Sequence, residues 1–393
     1  MKYLKKTLIV SALIGSSMLF SQTWTPIQRL TWSNRYSDTP IITVDSLDNL
    51  HVIWVENLSP PAILPENDSI FISNFDIFHK KSTNAGGSWG VTTRLTWNAD
   101  QSIHPQSAVD SNDYIHLVWE DWSSGNGQIY YKKSIDRGAS WSAVKRLTWT
   151  SNGCHKPAIN IDLNDNIHVI FYDNNYEIYY KRSTDSGATW DPVKRLTWTP
   201  GFSLDSDITS DPIGFLYMVW IDDTPGNNEI YFKRSADSGT TWDQPQRLTW
   251  NLPQESTPKI GADKNYGVHI IYPKYISTGN YEIYYKNTAN LGSSWSAPKR
   301  LTWTSNWSSS QDFSLDSSDR LHLSWVEIMS ENREIFYKKT TNSGLTWSSP
   351  QRLTWNPAPS ENPSIAADSA NDVHLVWIDE NTGIRQVYYK RGY

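Results

Sequence analysis

The sequence predicts an all-β chain folded as a seven-bladed β-propeller of four-stranded blades, and three observations predict it. The tetrapeptide RLTW occurs seven times, beginning at residues 29, 94, 146, 195, 247, 300 and 352, at spacings of 65, 52, 49, 52, 53 and 52 residues. Every repeat unit contains the same four short apolar parts, the pattern of a propeller blade. The first RLTW stands alone near the N-terminus, whereas the last unit stops at Tyr393 without one of its own.

Part A of each unit ends in Asp: PIITVD, PQSAVD, PAINID, SDITSD, PKIGAD, QDFSLD and PSIAAD. Part B carries an embedded His and an aromatic end: LHVIW, IHLVW, IHVIF, LYMVW, VHIIY, LHLSW and VHLVW. Part C reads DIFHK, QIYYK, EIYYK, EIYFK, EIYYK, EIFYK and QVYYK, and part D contains RLTW. These runs are rich in β-branched and aromatic residues and are bounded by Gly, Pro, Asn, Asp or Ser, so each is read as a strand. Parts B and C are apolar on both alternating faces, which suits a sheet packed between two neighbours. The seventh blade lacks its outer strand, and the orphan RLTW is expected to supply it. Trp24 supports that register, because it lies eight residues before Trp32, as Trp190 does before Trp198. Joining the chain ends in one sheet protects its edges.

Between parts C and D lie STNAGGSW, SIDRGASW, STDSGATW, SADSGTTW, TANLGSSW and TTNSGLTW. They resemble the Asp box, or BNR repeat, of sialidases and related propellers, and Thr23–Trp24 is the remnant of a seventh. The third position is Asp in three copies and Asn in three. Either residue bonds turn backbone, Gly takes the left-handed position and Trp packs back on the blade, so the motif reads as a folding device. The resemblance covers nearly the whole mature chain. It implies a sialidase-like propeller with its site around the central axis, on the face of the B–C and D–A loops.

Residues 1–21 read as a secretory signal peptide. Lys2, Lys5 and Lys6 precede the short apolar run 7–20, and small Ser21 precedes Gln22. Residues 22–393 then form a single propeller domain, expected to be secreted or periplasmic, monomeric and without a membrane anchor. Removing three lysines moves the formal charge from −6 to −9, a balance that disfavours nucleic acid as a partner. Cys154 is the only cysteine, so no internal disulfide is possible. No cofactor and no metal is expected.

A residue present in every blade is read as framework, and a residue that breaks the repeat as a candidate for a single site. By that rule 19 of the 21 tryptophans are assigned to an inter-blade core: seven in RLTW, seven in the hairpins, five closing part B. Six part B histidines and the Asp ending each part A are likewise read as buried structure and turn caps. An acidic series two residues after the part B aromatic (Glu56, Asp121, Asp173, Asp222, Glu327, Asp379, with Lys274 replacing it in the fifth blade) is read as turn starters, with a cation- or sugar-binding rim as the alternative.

The unrepeated residues are Arg35, Asp38, His104, His155, Lys156, Asp207, Trp307 and Glu361 in the D–A loops and Trp122, Lys274, Tyr275, Arg333 and Arg385 in the B–C loops. These are the candidate ligand-binding residues; Cys154 with His104 and His155 is a weaker metal candidate. Sialidase chemistry needs arginines from separate blades to hold a carboxylate. The sequence has no RIP-type motif, and no part A contains Arg. The expected function is therefore binding of a glycan or another extracellular polymer without catalysis. Exo-sialidase or other glycoside hydrolase activity is the first alternative, and a protein–protein interaction platform the second.

Overall fold

The computed structural model describes residues 22–59, 74–250, 256–277, 279–329 and 332–393. The expected signal peptide, and most of the long first B–C loop with Pro60, Pro61 and Pro65, lie outside the described residues.

Seven four-stranded antiparallel sheets make up the molecule, each with its strands in the order A-B-C-D. The A strands span Ser37–Val44, Ser102–Val109, Cys154–Ile161, Ser203–Ser210, Lys259–Ala262, Ser308–Leu315 and Ser360–Ala367 in blades 1 to 7. Each A strand touches the A strands of both neighbouring blades, including that of blade 7 against that of blade 1. They therefore line the axis, and the D strands form the perimeter. In blade 7 the outer strand is Gln28–Arg29, which pairs with the C strand Gln386–Gly392 through Gln28–Tyr389 and Arg29–Tyr388. Leu30 N–H donates to the Val387 carbonyl at 2.8 Å beyond that pairing.

The B strands are buried along most of their length because each is packed between two sheets. Trp54, Trp119, Trp220, Trp325 and Trp377 are 0% exposed, and each aromatic side chain buries roughly 150–250 Å². The repeated Asp, His and Tyr form one chain of bonds per blade. In blade 3, Asp162 Oδ1 accepts the N–H groups of Asn164 and Asn166 and so caps the A–B turn. Its Oδ2 lies 3.1 Å from His168 Nε2, and His168 Nδ1 lies 2.7 Å from the Tyr180 hydroxyl of the C strand. Burial pushes the His168 pKa down. Burial opposes ionisation of Asp162 too, but the His168 and Asn166 bonds outweigh it and hold the carboxyl at about 2. In blade 4, Tyr217 donates directly to Asp211 at 2.7 Å, and in blade 1 His79 takes the tyrosine position, 3.1 Å from His51.

The hairpin after each C strand locks onto the preceding blade. Asp185 accepts the Thr189 N–H at 2.8 Å and its hydroxyl at 2.6 Å, while Ser183 Oγ accepts the Gly187 N–H. Gly187 has φ +79°, and its missing Cβ makes room for the Tyr131 ring of blade 2. The same face is stitched across blades at the A–B turns, where Ser111 donates to Asp165 and Ser369 of blade 7 donates to Asp48 of blade 1.

One expectation is corrected. The seven RLTW tryptophans are not core: they are 56–71% exposed on the perimeter. Each D strand pairs through only two residues. The Leu of RLTW then turns inward and the Thr hydroxyl is buried (Leu147 2% and Thr148 1% exposed). The Arg folds back so that its Nε donates to the Thr carbonyl (Arg146 to Thr148, 2.6 Å). The following Trp is left facing solvent, its ring 5.7–6.0 Å from the guanidinium of its own RLTW in all seven copies.

Candidate functional site

An axial funnel of about 550 Å³ opens among the A strands. Its geometry comes from a bulge repeated in six blades. The pairing of A with B slips by one residue between Asp38 and Ile41, Ile103 and Gln106, His155 and Ala158, Leu204 and Asp207, Ser309 and Asp312, and Glu361 and Ser364. The first bulged residue has positive φ each time: Thr39 43°, His104 51°, Lys156 43°, Asp205 46°, Ser310 49° and Asn362 51°. Such conformations cost on the order of 1–3 kcal/mol each and cluster where a site must be pre-formed. All six of these residues line the funnel. In four of the six bulges the positive-φ residue is followed by Pro (Pro40, Pro105, Pro157, Pro363), and Pro258 sits at the matching place before the short A strand of blade 5. Proline cannot donate to a ladder, so it suits a bulge.

Deeper in the funnel the side chains pair across blades. Lys156 Nζ lies 2.7 Å from Asp205 Oδ1. Asp207 accepts the Ile260 N–H and Asp312 the Ile365 N–H, both at 3.0 Å. Lys259 lies between these two carboxylates in blade order, and the negative charge of Asp207 raises its pKa. Burial raises that of Asp312 against the pull of Lys259. Gln311 donates to the Thr257 carbonyl at 2.7 Å. The lining thus interleaves acceptors and donors.

One buried acid organises the wall at blades 2 and 3. Glu120, 2% exposed, lies 3.0 Å from His104 Nδ1 and 2.8 Å from His155 Nδ1, and accepts the Lys156 backbone N–H and the Trp122 indole N–H. Burial opposes its charge, but the two imidazoles outweigh burial and hold it at about 2. Burial would lower the His155 pKa, but Glu120 raises it, and His155 Nε2 is 2.8 Å from Asn174 Oδ1. Cys154 is buried, and desolvation pushes its thiol up to about 12. The two histidines share a carboxylate, and the cysteine beside them is a protonated core thiol.

Of the thirteen candidates from the sequence, the funnel brings together His104, Lys156 and Asp207. Asp38, His104, His155, Lys156, Asp207 and Glu361 lie on the A strands, Lys274 and Tyr275 on the B strand Val268–Ser277 and Arg333 on the C strand Asn332–Thr340, rather than in loops. Arg385 bonds Asp38 at 3.1 Å and Glu361 at 2.7 Å, and Arg333 is paired with the same Glu361. Two arginines therefore do converge on one carboxylate, but it is the protein's own. Arg35 is exposed. Trp307, 41% exposed, stacks on Tyr281 at 4.9 Å, and Tyr275 meets Tyr281 edge-on at 5.2 Å, with Lys274 beside Tyr284. The acidic series is not a binding rim. Glu56, Asp121, Asp222, Glu327 and Asp379 are buried and accept the indole N–H of the B-strand Trp two residues earlier.

Sequence reasoning missed Thr39, Lys259, Ser310, Gln311, Asp312, Asn362 and Glu120. The proline that begins five of the seven parts A was a signal for the bulge. Glu120 was visible by internal comparison, because Val55, Tyr172, Ile221, Pro273, Val326 and Ile378 hold its place in other blades.

No family model and no curated protein matches the sequence. Solved structures are similar in fold. An ulvan lyase of the PL25 polysaccharide lyases, bound to -[GlcA(1-4)Rha3S]-, matches with TM-score 0.63 and 10% identity over 92% of this chain and 95% of its own. A protein of unknown function from Dyadobacter fermentans matches with TM-score 0.55 and 13% identity over 74% and 94%. The Trypanosoma rangeli sialidase matches with TM-score 0.52 and 11% identity over 77% of this chain and 56% of its own. At these identities the likeness is one of fold. The chain is a seven-bladed β-propeller of the sialidase-like fold.

Proposed function

We propose that the protein is an exported glycan-binding propeller and that the axial funnel takes a hydroxyl-rich sugar. The observation that carries this reading is the ring of bulged residues, which spends backbone strain in six blades to aim Thr39, His104, Lys156, Asp205, Ser310 and Asn362 into one opening. Alternating carboxylates, ammonium groups and amides match the donors and acceptors of sugar hydroxyls. Trp122 and Trp307, 36% and 41% exposed in a B–C and a D–A loop, add aromatic surface on the same face. A carboxylate-bearing sialoside is disfavoured, because Arg333 and Arg385 are already neutralised by Glu361. The neighbours that act on polysaccharides or sialosides support a carbohydrate ligand in general terms. Binding on an array of neutral and sialylated glycans tests the proposal: retention of neutral glycans, without release of a fluorogenic sialoside's reporter, is expected. Retention of none refutes it.

One observation favours a catalytic second reading. His104 is held by Glu120 through Nδ1 and borders the funnel with its side chain 36% exposed, the arrangement of an oriented imidazole able to exchange a proton with a bound sugar. Glycan cleavage abolished by His104→Gln, with glycan binding retained, would establish it.

A further inference from the structure

The perimeter carries a second feature that the funnel does not use. The RLTW tryptophan is identical in all seven blades although most of its surface is in water. An indole kept for packing would be expected inside. Five of the seven have a second cation at the ring besides their own arginine: Lys233 of blade 4 lies 5.7 Å from the centroid of Trp198 of blade 3, and the other four lysines lie at 5.3–5.6 Å. Lys233 donates to the Leu196 carbonyl at 2.7 Å. It makes no ion pair with a carboxylate among the described residues, and burial lowers its pKa. The guanidinium is matched by an acid in five blades, as Arg195 is by Glu177, but faces Gln128 and Gln386 in blades 2 and 7. Five of the inter-blade edges thus set an open aromatic face against both an arginine and a lysine, the lysines themselves 4–9% exposed. Between blades 3 and 4 these groups border a groove of about 600 Å³, lined by Trp198, Lys233, Lys194, Thr240 and Thr241.

We propose that this perimeter is a multivalent binding surface for an acidic polysaccharide, with a pyranose ring stacked on each exposed indole and its carboxylate or sulfate beside the inter-blade lysine. The chemistry is that of an aromatic platform with an adjacent cation. Seven copies on one circumference give avidity to a long chain that no single groove needs to have. The indoles face outward all round the ring, so a flexible polymer engages several at once, whereas a flat bilayer meets only one side. The surface is separate from the funnel and does not depend on what the funnel binds.

The test uses the mature protein and polygalacturonate, with dextran as the neutral control and anionic phosphatidylserine vesicles as the competing surface. In affinity electrophoresis, polygalacturonate is expected to retard the protein and dextran to leave its mobility unchanged. The triple variant Trp198→Ala/Trp250→Ala/Trp303→Ala, on three successive blades, should bind polygalacturonate on the order of tenfold more weakly, while the Trp→Tyr triple retains most of the retardation. Without any substitution, polygalacturonate should shield the exposed indoles from acrylamide quenching. Undiminished binding by a folded alanine triple, equal retardation by dextran, quenching unchanged by polygalacturonate, or shielding by the vesicles would each overturn the proposal.

Discussion

Replacing Gly187 by Ala tests how the blades are held together. The residue sits in the hairpin of blade 3 at φ +79°, and a Cβ there would lie 2.8 Å from Tyr131 Cε1 and closer still to Cζ and the hydroxyl oxygen. The left-handed conformation costs a non-glycine residue ~1–2 kcal/mol. Forcing a methyl into a packed interface adds ~1–3 kcal/mol. The Tyr131 ring cannot retreat freely, because its hydroxyl is 2.8 Å from His116 Nδ1 and the ring is 2% exposed. Together these give a loss of about 2–5 kcal/mol in urea unfolding followed by tryptophan fluorescence. Tyr131→Ala alone removes a buried ring and should cost about 3–5 kcal/mol. In the double variant the collision is gone, so the loss should fall short of the sum by ~1–3 kcal/mol. Additivity within about 0.5 kcal/mol would refute the reasoning that the glycine is kept for the neighbouring blade's ring.

The remaining predictions concern tryptophans, protons and the split sheet. Trp220→Ala, in the core, should cost about 3–5 kcal/mol, whereas Trp250→Ala, on the perimeter, should cost under ~1 kcal/mol; thermal melts of the two variants decide it. His51, His79, His168 and His322 have pKa values depressed by burial. The stability they confer is complete above the unfolded value of about 6.5 and is lost as pH falls through their folded values. Urea midpoints should therefore drop as the pH is lowered from 7 to 5, and less steeply in His168→Gln. His155 behaves oppositely: Glu120 raises its pKa, so its contribution is complete below about 6.5 and fades as pH rises through the folded value. An NMR titration of Glu120→Gln should find the His155 pKa lowered, and an unchanged value would refute the pairing. Deleting residues 22–32 removes the strand that pairs with Tyr388 and Tyr389 and exposes a sheet edge, so that variant should aggregate or unfold at lower urea, as light scattering and unfolding curves would show.

The sheets were legible because each strand of a blade has a repeated partner. Part B is apolar on both faces, and the split seventh unit announces the pairing of residues near Gln28 with those near Tyr389. The Asp, His and Tyr chain was legible as framework for the same reason. The RLTW tryptophan was not. The two-residue strand ends at the Arg, the Leu turns inward after it, and the Trp lies beyond the point where pairing stops, so no period fixes its side. Aromatic character suggested burial, and the cations flanking each ring compensate for its exposure instead. The funnel was legible only in part. Lys156, Asp207 and His104 broke the repeat and were found. Lys259 and Asp312 were hidden inside what read as plain strand; at Asp312 the preceding bulge shifts which residues face the axis without changing the sequence period on either side. The arginines misled for another reason: a charge in a loop reveals its sign but not its partner, and Glu361 absorbs both Arg333 and Arg385.

The central claim, that the axial funnel holds a sugar, is tested most directly by calorimetric titration of one neutral glycan that the wild-type protein binds into the variant Asp207→Asn/Lys259→Met. This variant removes an acceptor and a donor from the funnel wall and touches neither the perimeter indoles nor the hairpins. The account predicts a loss of affinity of at least tenfold, about 1.4 kcal/mol, with the unfolding midpoint held to within the effect of a surface substitution. Undiminished affinity in a folded variant would place the sugar elsewhere on the molecule and contradict the account.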